Sequence, residues 1–242
     1  MARANRHHIP GHVWHITHRC HKKEFLLKFA RDRLCWRYWL FEAKKRFGLK
    51  VLNYVVTSNH IHLLVVDSGP DVISKSLQLI AGRTAQEYNL RKERKGAFWE
   101  DRYHATAVEH STQLIRCLVY IDLNMVRAGA VSHPSEWAMS GYNEIQNPRG
   151  RYGVIDLPGL RKFCGYSDPV QFSELHRQWV QEAMANGNNQ RESCWTESIA
   201  VGGVKFVEET KARLGIKGLG RKIEEQEAGQ CILKEMFEPY CF

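Results

Sequence analysis

No stretch of this 242-residue chain stays apolar for the length that a bilayer crossing requires. The N-terminal MARANRHHIPGH also lacks the apolar run of a secretory leader, so the sequence predicts a cytoplasmic protein with no membrane partner. Seven cysteines, at positions 20, 35, 117, 164, 194, 231 and 241, form no C-x-x-C pair and make an odd total. That argues against a zinc ribbon and for reduced thiols over a disulfide framework. There is no internal repeat, no low-complexity tract and no G-x-x-x-x-G-K-[ST] loop, so no nucleotide cofactor is expected. Apolar residues make up 43% of the chain, enough for a core that needs no staples.

What the chain has in excess is positive charge, a net +9 that is unevenly placed. Residues 1 to 60 hold 13 Lys and Arg against 3 Asp and Glu, so one segment carries the whole surplus. A concentrated basic surface is the footprint of a polyanion-binding face, with nucleic acid the first partner to consider; a solvated basic helix is the plainer alternative.

Periodicity sets the architecture. HVWHITHRC (12 to 20) alternates as a strand, and residues 30 to 47 carry a helical stripe that ends at Gly48. LKVLNYVV (49 to 56), a TSN turn and HIHLLVVD predict an antiparallel strand pair. A helix from Asp71 through Tyr88 and a strand at YHATAVE (103 to 109) complete a strand, helix, strand, strand, helix, strand order. This is the ferredoxin-like arrangement, an α+β fold with helices on one face of an antiparallel sheet.

STQLIRCLVYIDLNMVRAG (111 to 129) reads as one more helix, capped by Ser111 or Thr112 and ended by Gly129. Tyr120 and Asn124 lie one turn apart beside its apolar stripe, which predicts that they border the core, and Arg127 shares their ridge. Loops at 146 to 153 and 186 to 194 flank helical patterns at 170 to 184 and 205 to 215. The expected division is a catalytic domain over 1–145 and a small, mostly helical C-terminal part over 146–242.

TSNHIHLLVVD (57 to 67) places His60 and His62 on one strand face, where they could share a metal or be tolerated polar residues. A histidine-triad hydrolase needs a third alternating histidine, and Leu64 occupies that place. His15-Ile16-Thr17 and His104-Ala105-Thr106 leave open a two-histidine phosphoesterase, which puts one H-x-T on each of two strands. The third reading is DNA strand transfer, where a tyrosine oxygen conserves the bond energy as a phosphoester and a divalent ion stabilises the leaving oxygen. Two strand imidazoles and one helix amide leave positions for phosphate and water, and suit Mn²⁺ or Mg²⁺.

N-H-I-H-L-L at 59 to 64, F-W-E-D-R-Y-H at 98 to 104 and Y-I-D-L-N-M-V-R-A-G at 120 to 129 occur in that order. With them the chain resembles the single-tyrosine HUH transposases, in particular the REP-associated tyrosine transposases, from about His12 to Gly141. The resemblance implies an HUH nuclease fold, Tyr120 as nucleophile, and His60, His62 and Asn124 as ligands of Mg²⁺ or Mn²⁺. It further implies a monomeric, nucleoid-associated enzyme that cleaves and rejoins single-stranded DNA at REP-like hairpins through a 5′-phosphotyrosine link. Relatives commonly carry proline where Met125 stands and methionine-proline where Thr57-Ser58 stand. Candidate DNA contacts are Arg3, Arg6, Arg19, Lys22, Lys23, Lys44, Lys45, Arg46, Arg102 and Arg127, most of which would hold phosphates. A non-catalytic hairpin-binding repressor is the remaining rival.

Overall fold

A computed structural model describes residues 9–187, 190–226 and 229–235. Arg3 and Arg6 lie outside the described residues. Strand β1 (Val13–Arg19), helix α1 (Ala30–Phe47), strands β2 (Lys50–Val56) and β3 (His60–Val66), helix α2 (Val72–Arg91) and strand β4 (His104–Val108) follow the predicted order. β3 pairs antiparallel with both β2 and β1, and β1 pairs antiparallel with β4. The resulting β2-β3-β1-β4 order is the ferredoxin-like sheet. α1 stops at Gly48, whose φ of 69° is the left-handed conformation that glycine adopts without a Cβ penalty.

The sheet has helices on both faces, which is why β2 and β3 read as nearly unbroken apolar runs. α1 lies against the face that carries Tyr54 and Leu63, with Trp36 packed on the Tyr54 ring. Helix α3 (Thr112–Asp122) covers the opposite face, where Asn53 Nδ2 donates to the Leu118 carbonyl. Asn53 pairs with Leu64, so this second face is also that of His60 and His62. The 139–141 segment runs beside β2: the Val56 N–H donates to the Met139 carbonyl and the Gly141 N–H donates to the Tyr54 carbonyl. A Cβ on Gly141 would sit 2.1 Å from Asn53 Oδ1, so only glycine fits there.

The predicted helix over 111–129 is broken. α3 ends at Asp122, Leu123 leaves helical geometry with ψ near 1°, and a short α4 (Asn124–Arg127) follows. Ser111 stands at the N-terminus with φ 60° and makes no side-chain cap. Tyr120 and Asn124 do not border the core; they are 5% and 9% exposed. The cover comes from the C-terminal part, which periodicity along α3 could not reveal.

That part is more than helical. Helices α5 (Tyr142–Gln146), α6 (Leu157–Cys164), α7 (Pro169–Ala185), α8 (Cys194–Glu197) and α9 (Val204–Arg213) accompany strands β5 (Ala200–Gly202), β6 (Arg221–Glu225) and β7 (Cys231–Glu235). β5 pairs in parallel with β4, and the whole becomes a seven-stranded sheet in the order β2-β3-β1-β4-β5-β7-β6. Six cysteines are free thiols among the described residues, and no described helix is long and apolar enough to cross a membrane.

Candidate nucleic-acid processing site

β1 and β3 run antiparallel with Thr17 opposite His62 and Arg19 opposite His60, so both histidines of H-I-H face the α3 side at one end of the sheet. Tyr120, from α3, meets them there: its ring is 5.8 Å from the His62 ring and nearly perpendicular to it. Asn124 Nδ2 lies 3.0 Å from His62 Nε2. His60, His62, Tyr120, Asn124 and Arg127 line a cleft of about 420 Å³ together with Thr17, Arg19, Arg102, His104, Arg191 and Thr196. Four arginines face Glu100 and Asp101 across it, which leaves the cleft net positive.

The turn before β3 fixes His60. Asn59 Nδ2 donates to the Lys23 carbonyl, which turns Asn59 Oδ1 toward His60 Nδ1 at 2.7 Å. Nδ1 therefore carries the ring proton and Nε2 keeps a bare lone pair. Thr57, one of the departures from the family pattern, binds this turn through its hydroxyl, which accepts the His60 N–H and donates to the His60 carbonyl. Burial pushes the His60 imidazole down to about 4, with Arg19 and Arg191 adding to the shift, and holds His62 well below its ordinary value, with His15 and His60 adding to that shift. Both rings are thus neutral and able to donate lone pairs at physiological pH.

No described group of three or more His, Cys, Asp and Glu side chains is arranged to hold a metal. The third protein donor beside the two imidazoles is the Asn124 amide, which would have to present its oxygen. Two neutral imidazole nitrogens and one amide oxygen fit a weakly held divalent ion whose remaining positions go to water and phosphate.

Tyr120 is not poised as an anion. Burial raises its phenol, partly offset by Arg127, whose guanidinium stacks 4.1 Å from the ring centroid and donates to the Tyr120 carbonyl. Tyr120, Arg127 and Arg191 also line a second hollow of about 680 Å³ between α3 and α7, so a chain passing Tyr120 has space on both sides.

The basic residues divide. Arg19, Arg102 and Arg127 reach the cleft, while Lys22 and Lys23 form an exposed turn whose Lys23 carbonyl holds Asn59. Lys44, Lys45 and Arg46 end α1 and precede Lys50, which pairs with Val66 at the other end of β3, roughly 20 Å of strand away. Lys44 donates to the Gly153 carbonyl and Arg46 is paired with Glu42. The two H-x-T strings reach the cleft only through Thr17 and His104 and do not offer it a pair of histidines: His15 is fully buried, and both of its nitrogens have partners. Sequence reading missed Arg191 and Thr196, which approach the cleft only because the C-terminal part folds back over α3.

Comparison with known proteins bears on the fold and the family. The structure of a REP-associated tyrosine transposase bound to a REP hairpin superimposes with a TM-score of 0.51 at 20% identity, covering 64% of this chain and 94% of that one. A candidate transposase from Deinococcus radiodurans is a more distant likeness, at 16% identity, a TM-score of 0.33, and coverage of 42% and 82%. Among curated proteins the chain has no match. Residues 10–124 match the model of the family described as transposase, IS200-like. The segment that carries β1 to α3, His60, His62, Tyr120 and Asn124 therefore belongs to the IS200-like transposase family.

Proposed function

We propose that the chain is a metal-dependent endonuclease and strand transferase for single-stranded DNA, acting beside REP-like hairpins. The observation that carries this reading is the convergence of the unprotonated imidazole nitrogens of His60 and His62, the Asn124 amide and the Tyr120 ring on one positively charged cleft. His60, His62 and Asn124 would hold Mg²⁺ or Mn²⁺. Bound there, the ion would neutralise the scissile phosphate and the charge developing on the leaving oxygen.

The protein's own groups supply the rest. Tyr120 Oη attacks phosphorus as its phenolic proton departs; the Oη–P bond forms, the P–O3′ bond breaks, and the 3′ oxygen leaves as a hydroxyl after taking up a proton. The strand is left joined to Tyr120 through its 5′ phosphate, and attack by another 3′ hydroxyl reverses the step. Arg127 fixes the Tyr120 ring, and Arg19 and Arg102 stand where the flanking phosphates pass.

Tyr120 meets His62 of its own chain, which supports action as a monomer. Hairpin DNA as the partner is supported by the hairpin-bound structural neighbour. No step calls for a nucleotide cofactor, and the cytoplasm, with the nucleoid as the place of work, suits such a substrate. The test is to incubate labelled hairpin DNA with the protein and Mn²⁺ or Mg²⁺. A denaturant-resistant protein–DNA band is expected that disappears in Tyr120→Phe; no band with any hairpin would refute transfer, and a band surviving in Tyr120→Phe would refute this nucleophile.

A further inference from the structure

We propose that His15 is a positioning residue that fixes the proton and ring of His62, anchored by the backbone carbonyl of Trp195 in the C-terminal part. The inference rests on the reading of His62 Nε2 as a metal ligand. It makes residues beyond the family segment a component of the site.

The argument runs along a chain of hydrogen bonds. His15 Nδ1 is 2.9 Å from the Trp195 carbonyl, which can only accept, so this nitrogen carries a proton. In a neutral imidazole the other nitrogen is then bare. His15 Nε2 faces His62 Nδ1 at 2.9 Å, so His62 Nδ1 must be the donor. His62 Nε2 is left with its lone pair directed at Asn124 Nδ2 and the cleft.

The reverse polarity would need two protons on His15. It would make a cation at a site with no solvent exposure and with the Arg127 guanidinium acting against it. The two rings lie within 6° of parallel with centroids 5.0 Å apart, which is compatible with an in-plane N–H to lone-pair bond. The anchor is itself held, because the Trp195 side chain is fully buried and its carbonyl lies 3.2 Å from the Thr106 hydroxyl, which donates chiefly to the Ser198 carbonyl at 2.6 Å. Partners of this kind orient metal-ligating histidines and set which nitrogen is free.

The test uses the full chain with His15 unchanged, as His15→Gln and as His15→Leu. A glutamine amide can accept from His62 and donate to Trp195, whereas leucine can do neither. Long-range ¹H–¹⁵N spectra of the metal-free protein report the tautomer, and titration with Mn²⁺ alone reports affinity. The unchanged protein and His15→Gln should show His62 protonated on Nδ1. His15→Leu should lose that preference and bind Mn²⁺ roughly 10 to 100 times more weakly.

A His15→Leu protein that keeps both the tautomer and the Mn²⁺ affinity overturns the proposal, as does an equal loss in the glutamine variant. If His15→Leu does not fold, the spectrum of the unchanged protein decides, and a proton on His62 Nε2 overturns it. Failure of the unchanged protein to bind Mn²⁺ while showing the Nδ1 tautomer would instead strike the metal reading and leave the hydrogen-bond relay standing.

Discussion

Helix α3 separates two histidines that are almost equally buried and differ in where the accepting nitrogen of each points. On one side His62 has its proton on Nδ1, drawn toward His15, and turns the lone pair of Nε2 to the Asn124 amide on the cleft wall. Close by, His176 of α7 meets Asp122 of the same helix: its Nε2 is 2.8 Å from Asp122 Oδ2, and its Nδ1 is 2.8 Å from Gln146 Nε2. Gln146 Oε1 is taken by Ser173 and Arg177, so its amide nitrogen faces His176 and donates. His176 therefore has the opposite tautomer, with both nitrogens committed, and Asp122 Oδ1 is closed by Asn53. Burial alone does not distinguish the two, and neither does a count of partners; what differs is that the accepting nitrogen of His62 meets an amide on the cleft wall, whereas that of His176 meets one away from the cleft.

Several outcomes would break or sharpen this contrast. The largest effect belongs to Tyr120→Phe on the open side, which should reduce covalent DNA linkage by more than about 1,000-fold while leaving the melting temperature nearly unchanged. A loss of linkage matched by a loss of fold would erase the distinction. On the sealed side, His176→Phe should cost about 3 kcal/mol in urea unfolding, because it leaves a buried Asp122 oxygen without its donor. Mn²⁺ affinity of the folded protein should not move, and a tenfold change would join the two networks into one.

Acid should act through the open side. His15 is pushed from 6.5 to about 3 and His60 to about 4, both first by burial, so the unfolded chain binds protons that the folded chain refuses. Stability is then complete above pH 6.5 and declines as pH falls toward 3 to 4, by about 1.4 kcal/mol per pH unit for each histidine concerned. Urea midpoints between pH 7 and 5 measure this, and His15→Gln should make the slope shallower by one proton's share. The smallest effect is expected at the rim. Arg102→Ala should weaken DNA binding several-fold for all sequences alike and lower the salt slope by about one, read from titrations at several salt concentrations.

The parts of the site that lie in one short string were legible in the sequence. His60 and His62 share a face by strand alternation, and Tyr120 and Asn124 share a ridge by helical spacing, so two local rules placed all four. The break at Leu123 was not legible, since the run through Met125 keeps a helical pattern on both sides of it. Nor was the role of His15, which needs the β1 to β3 register and a carbonyl 180 residues away. β5, β6 and β7 are three to five residues each, too short for alternation to declare them, and β5 pairs with a strand nearly a hundred residues earlier. The ferredoxin-like half was read because its elements are long and its neighbours in sequence are neighbours in space.

The parallel pairing of β5 with β4 bears on a different matter, the margins of the sheet. Without it, β4 would end the sheet as a row of unpaired N–H and C=O groups beside the cleft of His60 and Tyr120, a template for any other extended chain. With it, the exposed margin moves outward to β6, whose sequence Arg-Lys-Ile-Glu-Glu is charged at four of its five positions. At the opposite margin β2 is shielded by the 139–141 segment and by the bridge from Val51 to Ile155. A chain cut after α5 would keep every proposed ligand and the nucleophile, yet would bare β4 and invite sticking between copies.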